Sequence, residues 1–257
     1  MTKLTSFLDF TKFTSLMGKH YTKCLIFILF LVLGAQTAHS QVKEPFQVRY
    51  AADIRGELTF AANNIVSAQI DAYCTGNRRN RVCYPEQTPN DPYNLTGSAS
   101  DYNDNIDMQY IDVDGDASTF SSSSAILTVP DATCSLVRYA GLYWSAVYVN
   151  SDRSTIDDIK FRMPGGAYQD ITADEILFDG DGDTDFGYYS PYAAYKDVTN
   201  MLTGLADPNG EYTVANVRAS TGSSVSGGIS GGWTLVVVYE NPNLPGSRYI
   251  TTFDGYA

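Results

Sequence analysis

Eight aspartates fall into two runs whose spacing could hold a cation. In DGDGDTD, Asp179, Asp181, Asp183 and Asp185 occupy alternate positions. In DVDGD, Asp112, Asp114 and Asp116 do the same, with Asp107 a few residues upstream. Calcium takes about six to eight oxygen ligands, and alternating carboxylates on a glycine-bent backbone can wrap one ion. Neither run is an EF-hand loop, because the twelfth positions counted from Asp179 and Asp112 are Ser190 and Ser123, where that loop needs a glutamate. Calcium is the expected cofactor, with Asp179–Asp185 as the first candidate site and Asp107–Asp116 as the second. The competing reading of each run is a solvated acidic turn. Magnesium fits less well, since it tolerates distorted cages poorly.

A second chemistry is carried by the aromatic stretch RYAGLYWSAVYV. Tyr143 and Tyr148 have flat faces on which a sugar could stack. A strand alternates, so Leu142 and Trp144 face one way while Tyr143 and Ser145 face the other. With apolar neighbours, Trp144 reads as a core anchor, and so does Trp233. Paired carboxylates can hydrolyse glycosides without histidine, but in so acidic a chain some pair always looks suitable. No catalytic motif emerges, and an enzyme is not the expectation.

Residues 1–40 form an address. Lys12, Lys19 and Lys23 precede the apolar run CLIFILFLVLGA, and small residues Ala38 and Ser40 stand ahead of Gln41. That order is a secretory signal peptide, with cleavage expected after Ser40. Both histidines, His20 and His39, leave with it. The remainder then excludes Ser–His–Asp and Cys–His catalysis and any zinc site with histidine ligands. The first forty residues also hold four lysines and one acid, so the net charge falls from −12 to −15. Such a surface repels phosphate backbones and makes nucleic acid an unsuitable partner. Cys74, Cys83 and Cys134 remain, which leaves three pairings open. Cys74 and Cys83 enclose a short polar loop and are the expected disulfide; Cys134 begins an apolar run and reads as a small buried hydrophobe. Arg78, Arg79 and Arg81 are the one basic cluster.

The elements that must position these residues are strands. FQVRYAAD, GELTFAAN, IDMQYIDVD, SAILTVP, LVRYAGLYWSAVYV, IDDIKFRM, YTVANVRAS, WTLVVVYE and RYITTFD are rich in β-branched and aromatic residues and are bounded by turn formers. WTLVVVYE, continuously apolar, reads as a central strand covered on both sides, and with YTVANVRAS it reads as a long hairpin. In YAAYKDVTNMLTGL, Val198, Met201, Leu202 and Leu205 share a helical face. Segment 74–106 is polar and reads as a surface excursion. The expected fold is all-β, an antiparallel β-sandwich, jelly-roll-like, with long loops and at most one short helix. Residues 41–257 form its single domain.

Four stretches in this order carry a family likeness: IDMQYIDVDGDASTFSSSSAILTVP, RYAGLYWSA, YTVANVRASTG and GGWTLVVVYENPNLPGSRYITTFDGY. Together, from about Asn105 onward, they resemble the N-terminal β domain of very large repeat proteins and adhesins of gliding Gram-negative bacteria, substrates of type IX secretion. The resemblance implies a cell-surface protein of surface attachment or gliding motility, exported by the outer-membrane secretion machinery. It also implies further modules of the same polypeptide after this domain. The expected role is a non-enzymatic adhesin module whose partner is a surface or an extracellular glycan, with a carbohydrate-binding domain as the alternative. A glycosidase-type enzyme is a more distant one.

Overall fold

The computed structural model describes residues 42–68, 108–183, 185–186, 189–222, 225 and 228–256. Residues 1–40, Cys74, Cys83, the arginine trio and Asp107 lie outside the described residues. Elements run in the order β1 (Glu44–Ile54), β2 (Gly56–Asn64), β3 (Val66–Ala68), β4 (Met108–Tyr110), β5 (Ser122–Leu127), β6 (Leu136–Val147), β7 (Asp158–Arg162). They continue with β8 (Tyr168–Thr172), β9 (Glu175–Asp179), β10 (Pro191–Asp197), α1 (Thr199–Thr203), β11 (Gly210–Ala215), β12 (Gly231–Glu240) and β13 (Arg248–Tyr256).

Two antiparallel sheets form the sandwich, one ordered β2-β12-β6-β10-β9 and the other β5-β11-β7-β8. If the edge strand β9 is set aside and the other eight are numbered along the chain, the sheets read 1-8-3-6 and 2-7-4-5. Apart from the adjacent pair β7–β8, strands are laid alternately into one sheet and the other, beside partners distant in sequence, as in a jelly roll. A third layer is a ribbon of β1 paired with β13, which packs on the outer face of the five-stranded sheet.

The core lies between the two large sheets. Leu142, Trp144, Trp233, Leu235 and Val237 project from the five-stranded sheet toward Leu127, Phe161, Tyr212 and Val214 of the other. Full burial of such side chains stabilises by about 1.5–3 kcal/mol each. Each indole N–H has an acceptor: Trp144 Nε1 donates to Ile156 O at 2.9 Å and Trp233 Nε1 to Ser123 Oγ at 2.8 Å. Both tryptophans are core anchors, and β12 is central, as their sequence contexts predict.

Three expectations are corrected. YTVANVRAS and WTLVVVYE do not form a hairpin: β11 pairs with β5 and β7, whereas β12 pairs with β2 and β6 in the opposite sheet. The chain therefore passes from one sheet to the other between β11 and β12. The first half of the expected helix is strand β10, with Tyr192 and Ala194 inward and Ala193 and Tyr195 outward. A strand covered on both faces has apolar residues at helical as well as alternate spacings. Only one turn, α1, follows, with Leu202 buried beneath it. Cys134 is exposed rather than buried, because it sits in the turn opened by Asp131, whose φ is 51°, before β6 begins.

Candidate functional site

The run after β9 turns on Gly182, whose φ of 73° suits glycine. Its four aspartates do not converge. Asp179 Oδ1 lies 2.7 Å from Nη2 of Arg153, a buried side chain held between Tyr148 and Tyr192. Asp183 and Asp185 both pair with Lys43 Nζ, the former at 3.1 Å. Asp181 is exposed. The N–H of Asp185 and the Lys43 ammonium hold the Asp183 carboxyl below the usual carboxylate range. The positive charge among these carboxylates is therefore supplied by two side chains from distant parts of the chain. Among the described residues, no three carboxylates, thiols or imidazoles gather as metal ligands.

The second run answers its own repulsion through the backbone. Asp112 Oδ1 accepts from Ser122 Oγ at 3.0 Å and from the Gly115 N–H. Asp114 Oδ1 accepts from the Asp116 N–H at 2.8 Å, and Asp116 Oδ1 from the Ser118 N–H at 2.8 Å. Tyr168 of β8 donates to Asp114 Oδ2. Burial disfavours the charged form of Asp114, but hydrogen bonds from Tyr168, Asp116, Thr119 and Ser122 outweigh it and lower its pKa.

Tyr143 and Tyr148 are not free platforms. Tyr143 packs on Tyr195, with ring centroids 5.0 Å apart, and donates to Asp254 Oδ2 at 3.1 Å. It belongs to the tyrosine cluster under the ribbon, with Tyr139 and Tyr195. Tyr148 is half-buried at the sandwich end, where its hydroxyl accepts from Asn150 Nδ2.

The cluster has two structural requirements. Gly141 lies between Tyr139 and Tyr143, and a Cβ there would come 2.3 Å from Tyr139 Oη. A bulge in β1 leaves Arg49 without an opposite residue, since Val48 faces Phe253 and Tyr50 faces Thr252. Bulges re-aim side chains. Here the guanidinium reaches Asp254 through Nε at 2.6 Å and Nη2 at 2.8 Å, and Glu175 at 2.8 Å. Its carbon stands 4.3 Å from the Tyr195 ring centroid. Burial pushes the Tyr139, Tyr143 and Tyr195 hydroxyls well above the usual phenol range.

Beside this cluster, between ribbon and sheet, lies a groove of about 790 Å³. Phe46 and Phe253 of the ribbon line it, more than half exposed. Ala62, Ser145, Ala193, Gly232 and Thr234 also line it from β2, β6, β10 and β12, with Asn64 at one end. The carboxylate in its wall is Asp254, both of whose oxygens are engaged by Arg49 and Tyr143. The sequence reading missed this site. Its one signal was Ser145 beside Tyr143 on the face opposite Trp144, and the ribbon that completes the groove comes from the two ends of the described chain.

No protein-family model, curated protein or solved structure matches this chain.

Proposed function

We propose that Lys43–Tyr256 is a non-enzymatic binding module of an exported surface protein, and that it takes its ligand in the groove beneath the β1–β13 ribbon. The observation that carries this reading is the pairing of every charge in the groove wall. Catalysis by general acid or base needs a group free to gain or lose a proton in contact with substrate. Asp254 is committed to a guanidinium and a phenol, and the Tyr143 hydroxyl to Asp254. What remains open is phenyl surface, hydroxyl and amide, which is the composition of a binding cleft. The signal-like leader, the acidic balance and the likeness to exported adhesins support the surface assignment and a role in attachment.

Beads coated with the purified chain test this. They should be retained on hydrated polysaccharide and cell surfaces under flow, and Phe46→Ala with Phe253→Ala should reduce retention. Failure of retention, or turnover of glycoside substrates by the protein, would overturn the reading.

A further inference from the structure

We infer that the groove is a site for a neutral saccharide, an assignment that rests on the binding-module reading and names its ligand class. Four features of the groove converge on this chemistry.

The first is the pair of phenyl rings. Phe46 is 57% and Phe253 59% exposed, an arrangement that leaves apolar ring surface in water unless something flat covers it. The C–H face of a pyranose ring is such a surface.

The second is a set of uncommitted hydrogen-bonding groups. Among the described residues, the Ser145 and Thr234 hydroxyls and the Asn64 side-chain amide make no hydrogen bond, and all three line the groove. Hydroxyls and an amide both donate and accept, as sugar hydroxyls do.

The third is charge. No lysine or arginine lines the groove, and Asp254 is paired. A phosphate, sulfate or uronate would find no counter-ion there, on a chain whose net charge of −12 already repels anions. A cationic peptide would find no free carboxylate.

The fourth is the backbone. The floor strands β6, β10 and β12 are paired with neighbours, so the floor offers side chains and no open ladder. An extended peptide gains affinity by adding to a sheet edge, which β6, β10 and β12 do not present; the open edges of β2 and the ribbon lie at the rim of the groove. Lipid tails would leave the floor hydroxyls buried and unsatisfied. The volume falls within the range of small-ligand clefts, about 300–1,000 Å³, and accommodates a short oligosaccharide.

The test is titration of the purified chain with neutral oligosaccharides of glucan, mannan, galactan and xylan type, followed by calorimetry and ligand-observed NMR. At least one should bind saturably, while an oligouronate does not. Phe253→Ala should weaken that binding by about tenfold or more, and Thr234→Val by about threefold. Phe60→Ala, an exposed ring that does not line the groove, should leave it unchanged. Urea midpoints establish that each variant is folded. Absence of binding by the whole panel overturns the inference, as does tighter binding of the oligouronate or an equal loss in Phe60→Ala. If coated beads still adhere while the panel is silent, the saccharide assignment falls and the binding module stands. If the beads also fail, both fall.

Discussion

The inner and outer faces of the five-stranded sheet are covered by unlike layers. Inside, Leu142, Trp144, Trp233 and Leu235 meet the four-stranded sheet through apolar surface, and each indole N–H has one neutral acceptor. Outside, Tyr139, Tyr143 and Tyr195 meet a two-stranded ribbon through phenols, and Arg49 joins the carboxylates of Asp254 and Glu175 across the contact. Apolar burial depends weakly on pH and salt. A phenol–carboxylate–guanidinium contact depends on both. The inner layer thus sets whether the domain is folded, and the outer layer sets whether the groove exists.

The largest effect should come from the inner face. Trp144→Ala leaves a cavity in the sandwich and should cost about 3–5 kcal/mol, read from urea denaturation. Asp254→Ala removes the two-pronged partner of Arg49 and the carboxylate acceptor of Tyr143, and should cost about 2 kcal/mol because Arg49 keeps Glu175 and partial access to water. If Asp254→Ala proved as costly as Trp144→Ala, the ribbon would be part of the folding core and the comparison would break.

Alkaline pH sharpens the contrast. The three tyrosines have folded-state pKa values raised above the ordinary 10.0. Their contribution is complete below that value and is lost as pH rises through the folded values, since the unfolded phenols ionise first. Tyr192 and Tyr212 in the sandwich core are raised by burial in the same way, but the ribbon is held by two strands alone and should loosen first as the pH passes 10. Hydrogen exchange would show β1 and β13 amides losing protection while β6 and β12 retain theirs; simultaneous loss would contradict the layering.

The smallest effect belongs to the acidic run. Lys43→Ala should lower Tm by about a degree or two at most, because the pairs it makes with Asp183 and Asp185 are solvent-exposed. With Lys43 and Arg153 serving this run, millimolar calcium should shift the wild-type Tm no further than that. A gain of several degrees would show the carboxylates converging on an ion.

Much of the sandwich was legible because its strands carry local marks. Alternation in β6 correctly separated Trp144 from Tyr143, and the apolar run of β12 marked a strand with both faces covered. β10 was misread since PYAAYKD is covered on both sides and so lacks a polar face to reveal its period. β8 and β9 are five residues each, too short to display a period, and were not read as strands. The buried Ser121–Ser123 segment lay outside the expected SAILTVP strand because serines carry no apolar mark, although Ser123 accepts from Trp233 and Ser122 donates to Asp112. The acidic runs were found, but their partners were not: Lys43 lies 140 residues from Asp183, and spacing along the chain cannot disclose such a meeting. The groove was invisible for the same reason, being made where strands far apart in sequence meet.

In the ribbon, Glu44 lies opposite Tyr256 and Ile54 opposite Arg248. Tension applied at Lys43 and Tyr256 would therefore pull the two strands apart from one end, loading their rungs singly rather than together. The ribbon would unzip at low force and carry Phe46 and Phe253 away from the sheet, while the nine strands of the sandwich stayed intact. A tether arranged this way would release whatever it held when the pull grew strong, and would regain its grip on slackening.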